Sequence, residues 1–83
     1  MKKELESKLK DIFSGVFDYP KENIDNSLSN SKLPQWDSLG HISLIIALEE
    51  AFNVSFEPDE MEKMYNNFGA IKEVLINKIK DSS

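Results

Sequence analysis

The chain has 83 residues, room for one small domain and little enclosed volume, since a domain of this size buries only about 60% of its unfolded surface. It has no cysteine, which excludes disulfides and cysteine-ligated metal. Acids outnumber bases 15 to 10, and the resulting net charge of −5 argues against nucleic acid as a partner, because phosphates demand clustered Lys and Arg.

The charged opening, MKKELESKLK, lacks the apolar core of a secretory signal. The longest apolar run falls far short of the ~20 residues that span a bilayer. A cytoplasmic protein with no membrane span is expected. Leu5, Leu9, Ile12, Phe13 and Val16 recur at spacings of three and four, which predicts a first helix over residues 2–17. Gly15 weakens its end, and Pro20 forbids its continuation. Residues 18–37 are rich in Asn, Ser, Asp and Pro and read as a loop. A loop this long in so small a domain has to be functional or pinned, and Ile24, Leu28 and Leu33 are spaced to pin it.

A second helix is predicted over 38–52, with Asp37 or Ser38 accepting a hydrogen bond from its first turn and Asn53 as a left-handed terminator. Residues 54–56 are short and extended. Pro58 suits the first position of a short third helix, running to about Tyr65, and Asp59 and Glu60 favour the positive end of its dipole. Asn66 or Asn67 can cap a fourth, whose apolar stripe is Phe68, Ile71, Leu75 and Ile79, widened by Val74 and Ile76. The expected fold is all-α: a single domain over 1–83, four helices, a long first loop, a short third helix and no strands.

The second helix carries apolar residues on two faces. At about 100° per residue, Leu44, Ile45, Leu48 and Phe52 share one arc, the natural core face. Leu39, Ile42 and Ile46 fall nearly opposite, with Glu49 and Glu50 flanking them and Ser43 beside them. The second arc is either buried, in a central helix, or an exposed strip edged by acids of the kind that docks transient partners. Ser38 stands at its head.

Four chemistries compete for Ser38. A hydrolase nucleophile would need an orienting acid, an oxyanion hole and a glycine two residues upstream, and the chain is too short for an α/β sheet. His41, three residues on, sits near the edge of the core arc, where packing or lining of a cargo pocket suits it better than catalysis. Metal binding fails too: there is one histidine, and a calcium loop starting at Asp25 would find Asn30 and Trp36 where glycine and glutamate belong. A helix cap and a modification site remain, and both are compatible with free N–H groups and a dipole that favours negative charge.

The run WDSLGHISLIIALEEAF resembles the prosthetic-group helix of acyl and peptidyl carrier proteins. Asp37-Ser38-Leu39, Ala47-Leu48-Glu49-Glu50 and Phe52 match that family's hallmark, and VSFEPDEMEKM resembles its acidic stretch ahead of the third helix. The order of elements and the length match as well, so the resemblance spans nearly the whole chain and implies a small four-helix carrier-protein bundle. It implies a stand-alone, monomeric, non-catalytic carrier with 4′-phosphopantetheine from coenzyme A on Ser38. A phosphopantetheinyl transferase using magnesium, which Asp37 would help position, would attach that arm. Acyl- or aminoacyl-loading and transfer enzymes would dock on Leu39, Ile42, Ile46, Glu49 and Glu50. The pathways implied are those of fatty acids, polyketides, nonribosomal peptides or related products. Where fatty-acid carriers commonly have acids, this chain has Gly40, Ser43 and Ala51, and Trp36 with Gly40-His41 is more similar to carriers of specialised pathways. Hydrophobic cargo is expected between the second and third helices, near Ile45, Phe56 and Met61. The alternative is a helical interaction module with no prosthetic group, in which Ser38 is only a cap.

Overall fold

The computed structural model describes residues 2–82, with the side chains of residues 3–80. It contains four α-helices: α1 (Lys2–Phe17), α2 (Ser38–Phe52), α3 (Pro58–Met64) and α4 (Phe68–Ser82). Among the described residues there is no strand. α1 packs along α2, and α3 along α4. No helix among the described residues is long and apolar enough to cross a membrane.

α1 ends where its last carbonyls find other partners. Tyr19 N–H donates to Ser14 O at 3.2 Å, and the Ser14 hydroxyl donates to Tyr19 O at 2.6 Å. Asp18 turns the chain with φ 52°, a left-handed conformation that a short polar side chain tolerates better than most. The loop that follows contains one 3-10 turn, Lys21–Asn23, immediately after Pro20.

That loop is a structural part of the domain. Ile24, Leu28 and Leu33 are all buried in the core. Its carbonyls also close the start of α4: Phe68 N–H donates to Leu28 O at 2.8 Å and Gly69 N–H to Asn26 O at 3.0 Å. Asn67 Oδ1 accepts from Ala70 N–H at 2.8 Å, so Asn67 is the side-chain cap of α4. A helix end that would otherwise leave donors unpaired is completed by chain some 40 residues earlier. This accounts for the length of the loop.

The core is centred on aromatic rings. Phe13 meets Trp36 and Phe68 edge-on, each with centroids 5.3 Å apart, and Phe17 lies 4.8 Å from Phe13. Edge-to-face pairs of this kind add about 0.5–1.5 kcal/mol to the burial itself. Trp36 is fully buried, so it belongs to the core as well as to the motif. Its position in a polar loop hides this from any periodicity argument.

α2 ends at Asn53, φ 54°, whose N–H returns to Glu49 O, the left-handed stop expected of that residue. Lys8 of α1 covers this end: its Nζ donates to Ala51 O at 3.1 Å and lies 4.9 Å from the Phe52 ring centre. α3 begins at Pro58, preceded by Glu57, whose N–H donates to the Glu60 carboxylate at 2.8 Å. Glu60 also meets Lys78 of α4 at 2.7 Å. The two contacts, the backbone N–H foremost, hold the Glu60 carboxyl below its ordinary value.

Candidate functional site

Ser38 is the first residue of α2, and it is exposed. The cap is Asp37: its Oδ1 accepts from Gly40 N–H at 2.8 Å, and its carbonyl accepts from His41 N–H at 2.7 Å. Of the two capping candidates in the sequence, Asp37 has the task.

Gly40 explains how the turn sits against the rest of the domain. A Cβ at this position would run into the Gln35 carbonyl oxygen, and would lie 2.9 Å from Phe17 Cε1. The loop and α1 press on the first turn of α2 at this point, and the Gln35 side chain strengthens the contact by donating to Phe17 O at 3.0 Å. A side chain at this position has no room unless the loop or Phe17 shifts.

His41 points the other way, into the core, with 7% of its surface exposed. Trp36 Nε1–H donates to its Nδ1 at 3.0 Å, and its Nε2 meets the Met61 carbonyl at 2.8 Å. Burial pushes the imidazole below its ordinary value, against a smaller opposing effect of the Met61 carbonyl. Both ring nitrogens are engaged, so His41 has none to offer Ser38 as a base. The Ser38–His41 spacing does not make a catalytic pair.

α2 separates its two arcs cleanly. Leu44, Ile45 and Leu48 are buried alongside His41, and Phe52 is half-buried. Leu39, Ile42 and Ile46 are exposed by 76%, 56% and 51%, and among the described residues they are the large hydrophobic side chains left on the surface. The two glutamates at the far end differ in role. Glu50 is exposed, whereas Glu49 is half-buried and its Oε2 accepts from Phe56 N–H at 2.9 Å, bracing the approach to α3. Ser43 is exposed beside the strip, its hydroxyl turned back onto Leu39 O at 3.2 Å.

No protein-family model matches the chain, and no curated protein matches it. An exposed hydroxyl stands at the positive end of a helix, beside an exposed carboxylate and ahead of an apolar strip about two turns long. Such a hydroxyl is reachable by another enzyme, and a phosphate attached to it would be favoured by the helix dipole. At the expected cargo seam Ile45 and Phe56 are core residues, Met61 is partly buried against that core, and the His41–Met61 hydrogen bond ties α2 to α3.

Proposed function

We propose that the chain is a carrier protein that bears 4′-phosphopantetheine on Ser38 and delivers acyl or aminoacyl groups held on that arm as thioesters. The observation that supports this most is the exposed face of α2: Leu39, Ile42 and Ile46 lie in solvent on a helix whose opposite face already fills the core. A domain with no use for that strip would gain by making it polar. The strip begins beside Ser38, where a docking enzyme would find the hydroxyl.

The residues present fit the group. The Ser38 hydroxyl would give up its proton, form an O–P bond to the pantetheine-side phosphorus of coenzyme A, and release the nucleotide half. A magnesium-dependent phosphopantetheinyl transferase would catalyse that exchange, with Asp37 beside the serine to help position it. The arm supplies the thiol that this cysteine-free chain lacks. Leu39, Ile42, Ile46 and Glu50 form the partner face, and Glu49 borders it while bracing Phe56. The setting is cytoplasmic, and the carrier acts as a monomer that catalyses nothing itself.

Intact mass tests the proposal. The chain is incubated with coenzyme A, magnesium and a promiscuous transferase, and a gain equal to one phosphopantetheine is expected. Ser38→Ala should abolish the gain. No gain in the folded wild-type chain would sink the carrier assignment and leave a helical interaction module.

A further inference from the structure

The turn that carries Ser38 is pinned on both sides. On its outer side the Asp37 carboxylate holds Gly40 N–H. On its inner side the Trp36 indole donates to His41 Nδ1 at 3.0 Å, a side-chain bond that spans residues 37–40 from beneath. His41 then crosses to α3, where Nε2 meets Met61 O at 2.8 Å, and its ring lies 4.6 Å from that of Tyr65, the residue that closes α3. An indole N–H only donates and a carbonyl only accepts. These partners therefore dictate a neutral imidazole with its proton on Nε2.

We infer that His41 is a positioning residue for Ser38: in its neutral form it clasps the Ser38 turn to α3, and a proton on Nδ1 releases the clasp. The relevance to arm attachment rests on the proposed function, whereas the clasp stands on Trp36, His41 and Met61 alone. Protonated Nδ1 would place one N–H against another in a buried site, and an unmatched buried donor is costly enough that one of the two must turn away. Trp36 is locked among Phe13, Phe17 and Tyr65. The side that gives is the turn and its link to α3.

The surroundings leave burial in charge of the imidazole. Tyr65 is the titratable group of α3 that faces the ring. Glu60 of the same helix is turned to Lys78 and to Glu57 N–H, Glu62 is exposed, and Asp37 of the loop is turned to Gly40. None of these charges contributes to the lowering of the His41 value, which comes from desolvation. The clasp is thus intact at neutral pH and opens below the ordinary histidine value of 6.5.

Two measurements on the full chain test this. In the first, nitrogen NMR follows the His41 ring and the backbone amides from about pH 7.5 to about pH 5, the range in which histidine titrates. The ring should carry its proton on Nε2 at the upper end, and the Ser38, Leu39 and Met61 amides should shift with the ring's own midpoint, below 6.5. Amides of the Ser38 turn that stay still while the ring titrates would overturn the inference. So would the opposite tautomer, or loss of the whole folded spectrum at that midpoint, since His41 would then hold the core and not the turn. In the second, the rate of phosphopantetheine attachment is compared between wild type and His41→Gln across the same range, so that the transferase's own pH dependence cancels. The ratio of wild type to variant should fall about tenfold per pH unit below the midpoint. A constant ratio would overturn the inference. If wild type accepts no arm at any pH, the carrier proposal fails, and the amide titration still decides the clasp.

Discussion

Two glycines in helices should respond to alanine with opposite signs. Gly15 lies in α1, and a Cβ there meets nothing within 4 Å. Neither it nor Gly40 has a positive φ. Alanine favours a helix interior over glycine by about 1 kcal/mol, so Gly15→Ala should stabilise by about 0.5–1 kcal/mol. Gly40→Ala would gain the same propensity, but its methyl would strike the Gln35 carbonyl and stand 2.9 Å from Phe17 Cε1. That carbonyl cannot drift away cheaply: the Gln35 side chain is bonded to Phe17 O, and the next residue, Trp36, is locked in the core and bonded through its N–H to Leu33 O. Overpacking costs about 1–3 kcal/mol, and a clash with a backbone atom belongs to the upper part of that range, about 2–3 kcal/mol, which outweighs a propensity gain of about 1 kcal/mol and leaves Gly40→Ala destabilised by about 1–2 kcal/mol. Thermal unfolding followed by circular dichroism reads the difference. One kcal/mol shifts the midpoint of a domain this size by about 4–8 °C, so the two variants should move to opposite sides of wild type. A Gly40→Ala variant as stable as Gly15→Ala would refute the close approach of loop and α1 to the Ser38 turn.

Capping separates Asp37 from Ser38: Asp37→Ala should cost about 0.5–2 kcal/mol in denaturant unfolding, whereas Ser38→Ala, which removes no cap, should stay within about 0.5 kcal/mol of wild type. Ile46→Asp replaces an exposed residue and should keep the fold while slowing arm attachment. Unfolding of that variant would mean that Ile46 supports the core. Acid should also weaken the domain. The folded imidazole of His41 resists a proton that the unfolded chain accepts, so stability is full above 6.5 and falls as the pH drops through the lowered folded value. His41→Gln should show a shallower loss over that window in equilibrium urea titrations.

Much of the fold was legible because it rests on local rules. The 3.6 period, Pro20, Pro58 and the capping residues depend on near neighbours, and helices appear over Lys2–Phe17 and Ser38–Phe52, as the pattern requires. Ile24, Leu28 and Leu33 announced an anchored loop because apolar residues in a polar stretch have no other use. The site was legible to a lesser degree. The motif singled out Ser38 and Asp37, but it did not say which of them caps the helix.

What the sequence by itself determined is the set of helices, their breaks and the two apolar arcs of α2, all properties of residues within a turn or two of each other. The tertiary structure alone decided that the second arc of α2 is left in solvent, because burial depends on how many neighbours a small domain can supply, and only the core arc is covered. It also decided what Trp36, Gly40 and His41 are for. Trp36 fills the core and donates to His41, His41 reaches Met61 twenty residues away, and Gly40 admits the Gln35 carbonyl. Such contacts join segments that no helical period relates, and they exist only once α3 and the loop have closed around the first turn of α2.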